Sequence, residues 1–258
     1  MENIFVSDID GTLTSFGSPV LDEYGIKSLK KASQWGEIIL ASARPYSGII
    51  SMYNPEELEI DYIISLNGGH ILYKNKTLFT FPVPSEVVTY FIKNKDRFEN
   101  LWFYTEFHWY ASTMETDVYK KESYAVNSEA ILLNKFKSEN VLKILAVCES
   151  DRDIVVSEIG DKFSGVNVTS SSESYVEIFS SQINKFNAVE TIFRDKETQI
   201  FAFGDSNNDL EMIKNSFLGC AVNNATPQVK AVADYISSFN FGKGVYDSLE
   251  YIQKKYLI

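Results

Sequence analysis

The sequence predicts an α/β fold built on a parallel sheet, which is interrupted by an inserted α+β module. Short apolar runs alternate with segments of helical periodicity up to residue 66 and again from residue 186. Between these two stretches, strand and helix patterns follow one another without that alternation. Strands joined through helices indicate a parallel sheet, because a parallel connection has to return along the full length of the sheet.

The first stretch contains three apolar runs that we predict to be buried strands, each followed by polar residues. They are residues 4–6, 37–41 and 62–66. Apolar residues recur at helical spacing between positions 26 and 32, which predicts a crossover helix after the first strand. Pro45 follows the second run, and proline is favoured where a helix begins.

A hairpin pattern at residues 71–81 and a stiff proline-containing connector end this first stretch. We therefore predict that residues 1–82 and 181–258 form one core and that residues 83–180 form an inserted module. Within the insert the sequence predicts helices at 85–98, within 118–136 and from 151, and strands within 101–112 and at 142–148, 166–170 and 175–179. After residue 186 a strand at 199–203 and further helix patterns resume the parallel sheet.

Composition and charge indicate which binding partners and which cellular compartment to expect. The formal net charge of -11 and the absence of a Lys or Arg run argue against binding to nucleic acid or to an anionic membrane. We see no signal-peptide pattern and no apolar run of membrane-spanning length, so we expect a cytoplasmic protein. Cys148 and Cys220 lie far apart and are interpreted as buried apolar residues in a reducing compartment.

Two carboxylates, Asp8 and Asp10, stand directly after the first predicted strand. Side chains two residues apart on an extended backbone point the same way, so these two should converge. Carboxylates this close repel one another unless a proton or a cation lies between them, and Mg²⁺ with oxygen ligands is the usual cation. Gly11 then allows a sharp turn or a close approach of the backbone to a ligand. A merely polar turn after a buried strand is the alternative interpretation.

Polar residues at the ends of other predicted strands extend this pattern. Ligands of open parallel sheets bind beyond the carboxyl ends of the strands, so we expect these residues to meet at one site. The site would contain Asp8, Asp10, Ser42, Lys185, Asp205 and Asp209. Such a set suits phosphoryl transfer, in which a carboxylate attacks phosphorus, Mg²⁺ neutralises charge, and a hydroxyl and an ammonium hold the remaining oxygens.

Residues 8–13 (DIDGTL) and 204–209 (GDSNND) resemble the first and last motifs of the haloacid dehalogenase superfamily, specifically its Cof-type phosphatases. Residues 42–45 (SARP) stand where that family has Thr/Ser-Gly-Arg-Pro, and Lys185 stands where it has a phosphate-binding lysine. Residues 224–230 also resemble the family's stretch after the last motif. The resemblance covers the whole chain and implies a Rossmann-like core with a cap inserted between the second and third motifs.

The resemblance implies a role for each residue of the expected site. Asp8 would be the nucleophile that becomes an aspartyl phosphate, and Asp10 the general acid. Asp8, Asp10 through its backbone carbonyl, and Asp205 would ligate Mg²⁺, and Asp209 would bind it or orient its waters. The phosphate would be contacted by Ser42, Lys185 and Asn208.

Some residues near these motifs have a weaker or different interpretation. Ala43 and Phe186 stand where the family usually has glycine, which leaves the shape of both loops open. Asn67 is interpreted as a turn residue rather than a phosphate contact. Arg44 could reach the substrate or pair with an acid. His70 is interpreted as structural, because two histidines in the chain do not suggest a zinc site.

The insert is predicted to be a lid that moves about residues 81–84 and 180–184 and selects the substrate. Its alternating aromatic residues between positions 102 and 110 favour a packed sheet face over an aromatic lid. If any of them face the cleft, His108 and Trp109 are the first candidates.

The predicted function is Mg²⁺-dependent hydrolysis of a small phosphorylated metabolite, such as a sugar phosphate or a phosphorylated cofactor. A phosphomutase or phosphotransferase is the nearest alternative, because the same aspartyl phosphate can be passed to a sugar instead of water. A signalling module of the receiver type shares the acids, the lysine and Mg²⁺, but it does not need the insert. A non-catalytic binding protein is a further alternative. The sequence indicates neither the substrate nor the oligomeric state.

Overall fold

The computed structural model describes residues 1–170, 173–194 and 196–257. Within these ranges the chain has a mixed α/β fold with two sheets, the larger of which is mostly parallel, so the predicted fold class is confirmed. None of the helices in the described ranges is both long enough and apolar enough to cross a lipid bilayer.

The chain begins with the alternation of strands and helices that the apolar runs predict. The elements are β1 (Glu2–Ser7), α1 (Glu23–Ala32), β2 (Glu37–Ala41), α2 (Tyr46–Ile50), β3 (Tyr62–Ser65), β4 (His70–Tyr73) and β5 (Lys76–Thr80). Strand β2 lies parallel to β1 and β3, whereas β4 and β5 form an antiparallel hairpin at the edge of the same sheet. The Asp22 side chain accepts a hydrogen bond from the Gly25 N–H and so caps α1 at its N-terminus.

The next part of the chain forms the second sheet and the helices on it. Its elements are α3 (Ser85–Lys93), β6 (Asn100–Tyr104), β7 (Trp109–Ala111), α4 (Asp117–Val126), β8 (Ile131–Leu132), β9 (Lys143–Val147), α5 (Arg152–Lys162), β10 (Val166–Ser170) and β11 (Tyr175–Ser180). The strand order is β10-β11-β9-β6-β7-β8, and within this sheet β7 and β8 are the only parallel neighbours among the described strands. The helical region predicted within 118–136 is too long. Asn127 adopts a left-handed conformation with φ 45° and ends α4, and β8 follows.

The chain then returns to the first sheet through α6 (Lys185–Phe193), β12 (Thr198–Gly204), α7 (Leu210–Asn215), β13 (Leu218–Ala221), α8 (Pro227–Val232), β14 (Tyr235–Ile236) and α9 (Phe241–Tyr256). Strand β12 pairs with β1 on the side opposite β2, which gives the order β14-β13-β12-β1-β2-β3-β4-β5. The carboxyl ends of β2, β1 and β12 are therefore neighbours at the centre of one sheet edge.

Each sheet has its own apolar core. The central strands of the first sheet are buried on both faces, as Ile4 and Ile39 illustrate, because helices cover both sides. The second sheet carries one cluster beneath α3 and α5, which includes Phe91 and Ile159, and an aromatic cluster beneath α4, which includes Trp102. Two separately packed sheets are consistent with an inserted cap, and its boundaries at residues 83–180 stay a prediction.

Candidate active site

The residues expected at one site come from the neighbouring strand ends of the first sheet. Asp8 follows β1, Ser42 follows β2 and Asp205 follows β12, while Lys185 begins α6. Because β1 lies between β2 and β12, the topology brings together residues that are up to 197 positions apart, from Asp8 to Asp205.

A fully buried ammonium joins two of these carboxylates. The Nζ atom of Lys185 donates to Oδ1 of Asp8 at 2.6 Å and to Oδ1 of Asp209 at 2.8 Å. Burial by itself would lower the pKa of Lys185, but the two carboxylates outweigh this and raise it above its ordinary value. Lys185 is therefore a permanent cation beside Asp8.

Three carboxylates converge here closely enough to share a cation. One oxygen each from Asp8, Asp205 and Asp209 lies within 4.8 Å of the others, and all three residues are buried. Burial raises the pKa of Asp8 well above its usual range, with the neighbouring acids adding to this and Lys185 opposing it. Burial, together with the charge of Asp209, raises the pKa of Asp205 to about 6.

The hydrogen bonds of this cluster indicate which oxygens face a ligand. Oδ2 of Asp8 is buried without a hydrogen-bond partner among the described residues. It is therefore the oxygen of this cluster that most needs a cation or a hydrogen-bond donor from a ligand. Oδ2 of Asp209 instead accepts from the backbone N–H groups of Asp205 and Ser206, both at 3.1 Å. Asp209 thus holds the loop and Lys185 in place.

Gly11 allows the first loop to lie against Asp205. Its φ of 92° is in the left-handed region, and a Cβ atom at this position would lie 2.5 Å from Oδ2 of Asp205. A side chain here would therefore collide with the carboxylate and strain the backbone, so the turn requires glycine. Thr12 completes the contact, because its hydroxyl donates to Oδ1 of Asp205 at 3.1 Å.

Asp10 lies apart from the three converging carboxylates and pairs with Arg44. Nε and Nη2 of Arg44 donate to the two oxygens of Asp10, each at 2.6 Å. The same guanidinium donates to the carbonyl of Ser18 at 2.8 Å and to the carbonyl of Ala125 in α4. The structure therefore supports the interpretation in which Arg44 pairs with an acid. A metal contact through the backbone carbonyl of Asp10 stays a prediction.

A cavity of about 880 Å³ opens above this cluster, between the two sheets. The predicted residues that line it are Asp8, Asp10, Ser42, Lys185 and Asn208. Asn208 donates from Nδ2 to Oδ1 of Asn67 at 3.1 Å. Asn67 is a turn residue with φ 56°, as interpreted, but it also lines the cavity.

The suggestion that His108 and Trp109 face the cleft is wrong. Trp109 is buried, with its ring stacked 5.8 Å from Tyr104 and 5.5 Å from Tyr119, measured between centroids. Nδ1 of His108 pairs with Glu139 at 3.2 Å, in a separate depression. Trp102, Tyr104 and Trp109 form one packed face of the second sheet, as the favoured interpretation held, and Tyr110 packs on the other face.

The second sheet instead faces the cavity with strands β10 and β11. The lining residues on them are Asn167, Val168, Thr169, Ser170, Glu177 and Phe179. Thr169 pairs with Glu177 and Asn167 pairs with Phe179 in the antiparallel register, so these four share one face of the sheet. Sequence reasoning missed them, although polar residues at alternate positions of a valine-containing strand do indicate a face that is not packed.

A family model and a curated relative match almost the whole chain. The model of the family of haloacid dehalogenase-like hydrolases matches residues 5–249. The 5-amino-6-(5-phospho-D-ribitylamino)uracil phosphatase YcsE of Bacillus subtilis is 26% identical over 253 residues, which cover 95% of this chain and 93% of that protein.

Solved structures share the fold over almost the whole chain. A haloacid dehalogenase-like hydrolase from Bacteroides thetaiotaomicron is 26% identical with a TM-score of 0.85, covering 98% of this chain and 100% of its own. TM0651 from Thermotoga maritima is 23% identical with a TM-score of 0.83, covering 98% of each chain. Since the family match extends over nearly the entire sequence, this chain belongs to the haloacid dehalogenase-like hydrolases.

Proposed function

We propose that this protein is a Mg²⁺-dependent phosphatase that hydrolyses a small phosphorylated metabolite through an aspartyl phosphate on Asp8. The observation that carries the proposal is the environment of Asp8 at the floor of the cavity. One of its oxygens is held by the Lys185 ammonium, and the other is buried without a hydrogen-bond partner among the described residues. A buried carboxylate oriented in this way suits nucleophilic attack on phosphorus.

The donor set fits a magnesium ion. Asp8 and Asp205 would hold it directly, with Asp209 in contact with the ion or with its waters. When bound, Mg²⁺ neutralises negative charge between the phosphate and the carboxylates. The raised pKa values of Asp8 and Asp205 support this assignment, because they reflect buried negative charge that the residues alone do not compensate.

The chain's own residues would perform the chemistry in two steps. First, with Asp10 in its protonated form, a carboxylate oxygen of Asp8 bonds to phosphorus, the P–O bond of the ester breaks, and Asp10 gives its proton to the departing oxygen. Then Asp10 takes a proton from water, the water oxygen attacks phosphorus, and Asp8 is released together with inorganic phosphate. Throughout, Ser42, Lys185 and Asn208 would hold the peripheral phosphate oxygens.

The substrate is proposed to be a sugar phosphate or a phosphorylated cofactor. A cavity of about 880 Å³ has room for such a molecule. The relative YcsE is named for a substrate that carries a phosphoribityl chain, which supports a metabolite of this size. Transfer to a sugar acceptor would use the same intermediate, so water as the acceptor is part of the proposal.

The test is phosphate release with no acceptor present. We expect the purified protein to release inorganic phosphate from p-nitrophenyl phosphate and from members of a panel of phosphorylated metabolites when Mg²⁺ is supplied. Exhaustive chelation should abolish the release, and added Mg²⁺ should restore it. Phosphate release that appears only when a sugar acceptor is added would identify a phosphotransferase instead, and full turnover after chelation would contradict the metal assignment.

A further inference from the structure

A second, smaller cavity of about 260 Å³ adjoins the main one. The two cavities share Asp10, Ala43 and Glu177 as lining residues. The smaller cavity therefore begins at the predicted general acid, where the leaving group of a phosphate ester would lie. One wall of the smaller cavity is formed by polar side chains from the second sheet and from α4, including Tyr104, Glu122, Lys143 and Tyr175.

Charged groups in this wall are already paired. Nζ of Lys143 lies 2.7 Å from Oε2 of Glu177, and the two side chains are only 6% and 9% exposed. Glu122 accepts a hydrogen bond from the Tyr104 hydroxyl at 3.0 Å. Burial raises the pKa of Glu122, while Lys143 opposes that shift, so its carboxyl group suits hydrogen bonding to a hydroxyl.

No cation is left for a second negative group on the substrate among the described residues that line the two cavities. Lys185 contacts Asp8 and Asp209, Lys143 contacts Glu177, and Arg44 contacts Asp10. The remaining polar groups on β10 are the amide of Asn167 and the hydroxyls of Thr169 and Ser170. These uncharged groups and the carboxylates bond readily to hydroxyl groups.

We propose that the smaller cavity and the β10–β11 wall form a leaving-group subsite for uncharged, hydroxyl-bearing groups, and that the Lys143–Glu177 pair makes it reject a second anion. The inference rests on the proposed phosphatase function. A hydroxyl group can donate to Glu177 and accept from Lys143 without separating them. A carboxylate in the same place would lose its hydration and lie beside Glu177 with no free cation to compensate it.

Matched pairs of substrates test directly whether the subsite rejects a second anion. Sorbitol 6-phosphate and 6-phosphogluconate differ in carrying a hydroxymethyl or a carboxylate at the far end, and so do glycerol 3-phosphate and 3-phosphoglycerate. We expect kcat/KM to be at least about tenfold higher for the uncharged member of each pair. Equal values, or a preference for the carboxylates, would overturn the proposal.

Two variants test whether the named residues cause the preference for uncharged substrates. Glu177→Gln frees the Lys143 ammonium, so the preference for the uncharged member should fall about tenfold. Asn167→Lys adds a cation at an exposed position that lines the cavity and lies opposite Phe179, so it should shift the preference the same way without breaking the buried pair. Glu115→Gln removes the same charge from an exposed position of the second sheet's region outside both cavities and should leave the ratio unchanged. Unchanged ratios in both test variants would contradict the assignment.

Two measurements distinguish a failure of the phosphatase proposal from a failure of this inference. Hydrolysis of p-nitrophenyl phosphate tests the function alone. The dissociation constants of the four esters for the Asp8→Asn protein, measured by calorimetry with Mg²⁺, test the subsite without turnover. Absence of hydrolysis with selective binding of the uncharged esters would remove the proposed function only. Hydrolysis without selectivity in either measurement would remove the subsite only.

Discussion

Arg44 holds Asp10 at both carboxylate oxygens, with N–O distances of 2.6 Å, and the same guanidinium reaches the carbonyl of Ala125 in α4. Its fourth contact is the carbonyl of Ser18. A bidentate pair of this kind determines the orientation of the carboxylate as well as its charge partner. Arg44 is therefore a positioning residue for Asp10, and it links the loop after β1 to the helix that lies on the second sheet.

Replacing Arg44 with methionine should impair the step that protonates the leaving group. An alkyl phosphate depends on proton donation, so its kcat should fall on the order of 10²-fold. A p-nitrophenolate ion leaves without much protonation, so the first step with p-nitrophenyl phosphate should slow far less. Single-turnover measurements of both esters check this. Arg194→Met, at an exposed position, is the matched control and should change neither rate. Equal losses for the two esters would show that Arg44 acts elsewhere.

Replacing Asp8 with asparagine should abolish turnover, with a loss of at least about 10⁴-fold in kcat, because the amide is not a nucleophile. The fold should persist, since the change removes a buried charge while keeping the shape of the side chain. Circular dichroism checks the fold and phosphate release checks the rate. Trapping of the phosphorylated protein followed by peptide mapping should locate the phosphate on Asp8. A phosphate on any other residue would refute the assignment.

Replacing Lys185 with methionine should destabilise the metal-free protein. The change leaves the carboxylates of Asp8 and Asp209 buried without their shared cation, which costs about 3–5 kcal/mol of unfolding free energy. Denaturant unfolding measures this loss, and Mg²⁺ should recover part of it. Lys196→Met serves as control, because its 3.9 Å contact with Glu2 is exposed. A loss no larger than that of the control would mean that Lys185 does not balance the two acids.

The raised pKa of Asp205, at about 6, predicts a pH dependence of metal binding. The folded protein binds this proton more tightly than the unfolded chain does. The resulting stabilisation is complete below the ordinary value of 3.8 and is lost as the pH rises through about 6. Mg²⁺ needs the ionised form, so it should raise Tm more at about pH 7.5 than at about pH 5. Scanning calorimetry with and without Mg²⁺ provides the measurement.

Asp205→Asn should bind Mg²⁺ more weakly and should lose part of this pH dependence. Asp247→Asn, which alters an acid outside the carboxylate cluster, should retain the full pH dependence of the wild-type protein. If Mg²⁺ raised Tm equally at both pH values in the wild-type protein, protonation of Asp205 would not compete with the metal.

The sequence by itself determined the fold class and the strand ends that carry Asp8, Ser42 and Asp205. Apolar runs and helical spacing are local properties, and the order of strands joined through helices limits the sheet to a parallel arrangement. In such a sheet the polar ends of the central strands must lie together, so the convergence of distant residues was predictable. The spacing within residues 8–13 and 204–209 added the resemblance that identified the family.

Only the tertiary structure decided which side chains of the second sheet face the cavity. Trp109 and Glu177 lie on the same face of the second sheet, but α4 covers that face around Trp109 and leaves it open toward the first sheet at Glu177. The partner of Glu177 depends on how β11 pairs with β9, which carries Lys143. Strand periodicity identifies the two faces of a sheet without saying which part of a face a helix covers, because that is decided by packing between segments far apart in the chain.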